Sequence, residues 1–215
     1  MPEPRPAKFR AVVIGVSTGG LRALKILLGG LPADFPLPVL VVQHISAETG
    51  DGLARVLDEL CPIRVKEADE QEEMRPGTVY LAPSNYHLLV ESDGFLSLSA
   101  DPPVSYARPS VDVLFTSAAA ALGDSVIGVV LTGANFDGSQ GLKAIKAAGG
   151  VAIVQDPADA EAPQMPLAAL AATAVDHVIS LAGMAALLRQ LTSVRKRQSG
   201  TMANIGAKSG KVNDV

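Results

Sequence analysis

Two apolar rhythms alternate along this chain. Ala11 to Val16, inside a strand predicted over Phe9 to Val16, is a run of small and branched apolar residues without polar alternation. Leu21 to Leu31 then changes to helical spacing, with Leu21, Leu24, Leu27 and Leu28 expected on one face. LPVLVVQH, ending at Gln43-His44, is a second unbroken apolar run, the composition of a strand buried on both faces as in a parallel sheet. Gly50 to Leu60 predicts a helix and Pro62 to Glu67 a short strand.

The middle has a different character. After the turn signal Arg75-Pro76-Gly77 come three short runs, TVYLAP, YHLLVES and FLSLS. Ser92-Asp93-Gly94 between the last two predicts an antiparallel hairpin. An irregular stretch from Asp101 ends at Pro109-Ser110, where Ser110 is placed to cap the helix VDVLFTSAAAAL. Alternation then resumes, with strands over 125–131, 151–154 and 177–180 and helices over 140–148, 165–174 and 184–191. The pattern predicts a three-layer, doubly wound α/β fold: a mostly parallel sheet with an antiparallel hairpin insert.

Composition narrows this picture. With 215 residues, 48% of them hydrophobic, one sizeable core is expected, and residues 1–192 read as one domain. Residues 193–215 turn polar and carry five basic residues against one acidic, the composition of a disordered basic tail. The remainder holds 21 acidic against 13 basic residues, which argues against a nucleic-acid partner. Cys61 is the single cysteine, so neither an internal disulfide nor a cysteine metal cluster is available. No signal-peptide pattern or membrane-length apolar run is present, and a cytoplasmic protein without membrane insertion is expected. Neither G-x-G-x-x-G nor a P-loop lysine supports a nucleotide, and no cofactor is expected.

Ligands of such sheets bind at the carboxyl ends of the strands. Ser17, His44, the loop carrying Asp137, and Gln155 each follow a predicted strand. A nucleophilic serine needs a base for its proton and a carboxylate to fix the base's tautomer. His44 ends the strand expected beside the first and is the histidine placed to reach Ser17. His87 is expected half-exposed in the hairpin, and His177 structural. Simpler roles stand beside these: Ser17 as a helix cap, and Asp137 as a cap for the helix that follows it. GVSTG also fits G-x-S-x-G, but the α/β-hydrolase elbow follows several strands, whereas Ser17 follows the first.

The residues resemble the catalytic domain of the chemotaxis protein-glutamate methylesterases, the CheB family. The resemblance runs over residues 9–192, through VVIGVSTGG at 12–20, VVQH at 41–44, VYLAP at 79–83, RPSVDVLFTSAA at 108–119, LTGANFDG at 131–138, QDP at 155–157 and MP at 165–166. It implies a serine hydrolase that removes methanol from methylated glutamates on the cytoplasmic helices of chemoreceptors, with glutamine deamidation in many members. Ser17 is then the expected nucleophile, His44 the base and Asp137 its orienting carboxylate, with the backbone N–H groups of Thr18 and Ala134 as oxyanion donors. Ala134-Asn135-Phe136 depart from the usual LTGMGxDG loop, and Leu21 stands where proline usually follows the glycine pair. With about eight residues before the first strand, no receiver domain is expected there, and regulation is expected from a separate protein or from substrate supply. The alternative is a signalling or binding module that keeps this fold without activity.

Overall fold

The computed structural model describes residues 8–44 and 52–193, so most of the basic tail lies outside the described residues. The first half runs β1 (Ala11–Val16), α1 (Gly20–Gly29), β2 (Val39–Gln43), α2 (Leu53–Leu60), β3 (Arg64–Glu67), β4 (Glu72–Glu73), β5 (Thr78–Leu81), β6 (His87–Val90) and β7 (Phe95–Ser99). The second runs α3 (Val111–Leu122), β8 (Val126–Val130), α4 (Ser139–Ala147), β9 (Val151–Gln155), α5 (Gln164–Ala172), β10 (His177–Ile179) and α6 (Leu181–Thr192). Seven strands form one sheet in the order β10-β9-β8-β1-β2-β5-β3, and every pairing in it is parallel.

The apolar run of β1 fits this central place because both of its faces are covered. Val12, Ile14 and Val16 join Leu24, Leu27 and Leu28 of α1 and Met184 and Leu188 of α6 in one core. Ala11 and Val13 join Phe115 of α3 and Leu142 of α4 in the other. Successive strand residues thus feed opposite layers, as the pleat requires. Each fully buried leucine of α1 contributes about 1.5–3 kcal/mol of transfer free energy. Of the predicted face of α1, Leu24, Leu27 and Leu28 are buried, joined by Ala23, but Leu21 is 51% exposed. It stands at the edge of the stripe, where the helix opens on a cleft.

The predicted hairpin is present as β6 and β7, paired antiparallel. It forms a separate three-stranded sheet, β4-β7-β6. β4 was not predicted, since Glu72 and Glu73 carry no apolar signal and are held by backbone pairing with Leu96 and Phe95. The run TVYLAP does not join the insert; as β5 it lies between β2 and β3 in the main sheet. Among the described residues no helix is long and apolar enough to cross a membrane.

Candidate active site

Parallel pairing brings the carboxyl ends of β1, β2 and β8 to one edge of the sheet, and hydrogen bonds continue past the strand ends. The Ser17 N–H donates to the Thr132 carbonyl (2.9 Å), and the His44 N–H donates to the Val16 carbonyl (3.1 Å). Ser17 and His44 therefore sit on adjacent, tethered backbones. Both line a cleft of about 820 Å³, with Leu21, Leu53 and Val56 supplying an apolar wall.

His44 meets Asp137 across 93 residues of sequence, with Nε2 at 2.8 Å from Oδ2. Asp137 is 1% exposed and takes four further donors. Oδ2 accepts the Val111 N–H (2.7 Å), and Oδ1 accepts the Ser110 hydroxyl (2.9 Å) and the N–H groups of Asp112 (3.0 Å) and Gly138 (3.0 Å). Two of these are the leading N–H groups of α3, so the carboxylate also lies at the positive end of that helix. Burial alone would push this carboxyl up. Hydrogen bonds from His44 and from the N–H groups of Asp112 and Val111, with the charge of the imidazole, hold it below the ordinary carboxylate range.

The capping expectations change accordingly. Asp137 caps α3, which precedes it in the chain, rather than the helix that follows. Ser110 is at the N-cap of α3 but its side chain makes no cap bond; its hydroxyl goes to Asp137 instead. His87 is not half-exposed: it is 1% exposed, accepts the Ser110 N–H at Nδ1 (3.2 Å) and donates from Nε2 to the Pro102 carbonyl (3.2 Å). The antiparallel sheet thereby supports the residue that supports Asp137. His177 begins β10, away from the cleft lining.

Thr18 and Ala134, the expected oxyanion residues, are both exposed, on the turns after β1 and β8. The Thr132 hydroxyl ties those turns together by donating to the Thr18 carbonyl (2.9 Å). Gly133 lies between them, and a Cβ there would be 2.0 Å from Met165 Sδ and 2.9 Å from Ser17 Cβ. Gly19 has φ of 79°, the left-handed conformation that lets the chain turn sharply from Ser17 into α1. Gln155, expected at the same edge, braces the loop from behind: it is 1% exposed and its Oε1 accepts the Thr132 N–H (2.9 Å).

Two supporting residues escaped the sequence reading. Gln43 Nε2 donates to the carbonyls of both Ser17 and His44, each at 2.9 Å, and so clamps the Ser17 turn to the β2 end. Its one signal was a polar residue closing an otherwise apolar run. Asn135 reaches His44 Nδ1 with its amide nitrogen at 3.1 Å. Nothing in the local pattern of a glycine-bearing loop marks that contact.

A buried carboxylate on a histidine that shares a cleft with a serine at a strand-to-helix turn is an arrangement that acyl transfer can use. The sequence profile of the CheB methylesterase family matches residues 12–188. The chain belongs to the CheB methylesterase family. A Leptospira interrogans relative, provisionally named protein-glutamate methylesterase/protein-glutamine glutaminase, is 51% identical over 183 residues, covering 85% of this chain and 95% of its own. The protein-glutamate methylesterase FrzG of Myxococcus xanthus is 42% identical over 189 residues, 88% of this chain and 57% of FrzG. In structure the chain is similar to the Thermotoga maritima CheB methylesterase catalytic domain, with TM-score 0.82 and 34% identity, over 85% of this chain and 98% of that one. The family makes this chain a carboxylic-ester hydrolase of the protein-glutamate methylesterase class, and the doubly wound fold read from the sequence is the fold of that neighbour.

Proposed function

We propose that this chain hydrolyses glutamate methyl esters on the cytoplasmic domain of a chemoreceptor through a glutamyl ester on Ser17, with His44 as base and Asp137 as its orienting carboxylate. The observation that carries this reading is the hydrogen bond from buried Asp137 to His44, which lines one cleft with Ser17. Because Asp137 holds Nε2–H, the lone pair that takes a proton is on Nδ1. Ser17 Oγ attacks the ester carbonyl while its proton passes to Nδ1. The tetrahedral oxyanion faces the N–H groups of Thr18 and Ala134, each worth about 3–4 kcal/mol in such a role. Collapse breaks the bond to the methoxy oxygen, which leaves as methanol with the proton from Nδ1. Water then gives a proton to Nδ1 and attacks the glutamyl ester, releasing the glutamate carboxyl group and restoring Ser17. The same cycle on glutamine would release ammonia in place of methanol.

The test is methanol release from a methylated receptor cytoplasmic domain, with Ser17→Ala and His44→Ala alongside the parent. Both variants should be about equally inactive, because the groups act as a unit. Near-parent turnover by Ser17→Ala would refute the covalent route, and an inactive parent with an intact fold would favour a binding module.

A further inference from the structure

Asn135 closes a ring of three hydrogen bonds around the imidazole. The Asp137 N–H donates to Asn135 Oδ1 (3.1 Å), Asn135 Nδ2 lies 3.1 Å from His44 Nδ1, and His44 Nε2 lies 2.8 Å from Asp137 Oδ2. Every direction in this ring follows from its first member. A backbone N–H can only donate, so the atom of Asn135 that meets it is the oxygen, and the amide nitrogen faces the ring. That nitrogen also can only donate, so Nδ1 presents its lone pair and the ring proton is on Nε2. The charged carboxylate at the far side accepts that proton's hydrogen bond, and the ring closes without conflict.

We propose that Asn135 is a latch on the base: it fixes His44 as the Nε2–H tautomer and occupies the lone pair that Ser17 needs. This rests on the role given to His44 above. Neutral imidazole has one free lone pair, so the Asn135 amide and the Ser17 hydroxyl compete for it. At rest the serine is held back from its base. Once Nδ1 takes a proton it becomes a donor, and the Asn135 NH₂ facing it must turn away. The amide cannot simply turn over, which would set NH₂ against the Asp137 N–H, so the side chain must swing away from the ring. Asn135 is partly buried beside exposed Phe136, on a second recess of about 510 Å³ that also borders His44. A substrate entering there can move the latch at the loss of its bond from the Asp137 N–H, while the donors on the Asp137 carboxylate stay in place. Asn135 is thus a positioning residue that couples occupancy of the recess to activation of Ser17.

The test compares the parent, Asn135→Ala and Ser17→Ala in two measurements. The first is the rate at which a small fluorophosphonate labels the serine, which needs no protein substrate to open the latch. Loss of a neutral hydrogen bond to Nδ1 should raise the labelling rate of Asn135→Ala about fivefold, the ratio set by about 1 kcal/mol. Ser17→Ala should not label. The second is the nitrogen-15 spectrum of the histidines at a pH where His44 is neutral. The parent should show His44 as the Nε2–H tautomer, and Asn135→Ala should move the Nδ1 signal downfield as its lone pair is freed. Labelling of Asn135→Ala at or below the parent rate overturns the latch, as does an Nδ1–H tautomer in the parent, which requires no variant to fold. Labelling that persists in Ser17→Ala overturns instead the catalytic reading beneath it.

Discussion

Replacing Asp137 by Asn tests stability and chemistry together. The carboxylate has two occupied sides: Oδ1 takes Ser110, Asp112 and Gly138, and Oδ2 takes Val111 and His44. An Asn side chain has one oxygen, and the side with three donors keeps it. Its NH₂ then confronts the Val111 N–H, donor against donor, and can bond His44 only by donating to Nε2. Two hydrogen bonds to a charged group are lost, at about 1.5–3 kcal/mol each. The expected destabilisation is about 3–6 kcal/mol, or a melting temperature lower by roughly 6–24 °C at 2–4 °C per kcal/mol for a chain of this size. Donation to Nε2 also drives the imidazole proton to Nδ1, where it opposes the Asn135 NH₂ and leaves Ser17 no lone pair. That is the wrong tautomer, and the cost is on the order of a thousand- to ten-thousand-fold in turnover. Circular dichroism melts and methanol release on the same preparations measure both. The reasoning fails if the variant keeps more than a tenth of the parent rate, or if it melts at the parent temperature.

Gly133→Ala should lower kcat/KM at least about a hundredfold, because its methyl group is driven into Met165 and the Ser17 Cβ, and displacements near 1 Å cost that much at a reacting centre; a parent-like rate would show that the loop yields. Stability should fall in acid through Asp137. Its folded pKa is lowered, so its contribution is full above the unfolded value of about 3.9 and is lost as pH falls through the folded one. Asp112 has the opposite sign: burial and the nearby Asp137 charge raise its pKa, despite the Gly141 N–H. The stability gap between the parent and Asp137→Asn, measured by urea unfolding, should therefore shrink below pH 4, and a constant gap would contradict this.

The elements that were legible in the sequence are those whose burial follows a simple rhythm. β1 and β2 are unbroken apolar runs because helices cover both faces, and α3 and α6 carry their stripes plainly. β4 was invisible because two glutamates held by backbone pairing have no rhythm at all. The positions of Ser17, His44 and Asp137 were legible because each sits just past a strand, where parallel topology gathers loops. Their supports were not. Whether Asp137 caps the helix before or after it, whether His87 is buried, and what Asn135 and Gln43 touch all depend on segments distant in sequence that meet only in the folded sheet. Leu21 was misplaced for a smaller reason, since a stripe identifies a face but not where the covering helix stops.

The way this site is stitched together also bears on how the chain reaches its native state. Thr132 bonds Thr18 across 114 residues, His44 bonds Asp137 across 93, and Gln43 bonds Ser17 across 26. Parallel neighbours close only over long intervening loops, and such contacts come slowly in folding. No local segment can bring serine, histidine and carboxylate together before β2, β1 and β8 have paired. A nascent chain released as far as β7 holds Ser17 and His44 but not Asp137 or α3, so on the proposed roles it would have a serine without a competent base. Partly folded forms are for that reason expected to be hydrolytically silent. Recovery of esterase activity after dilution from denaturant should trail the return of helical signal, making the enzyme its own reporter of completed sheet assembly.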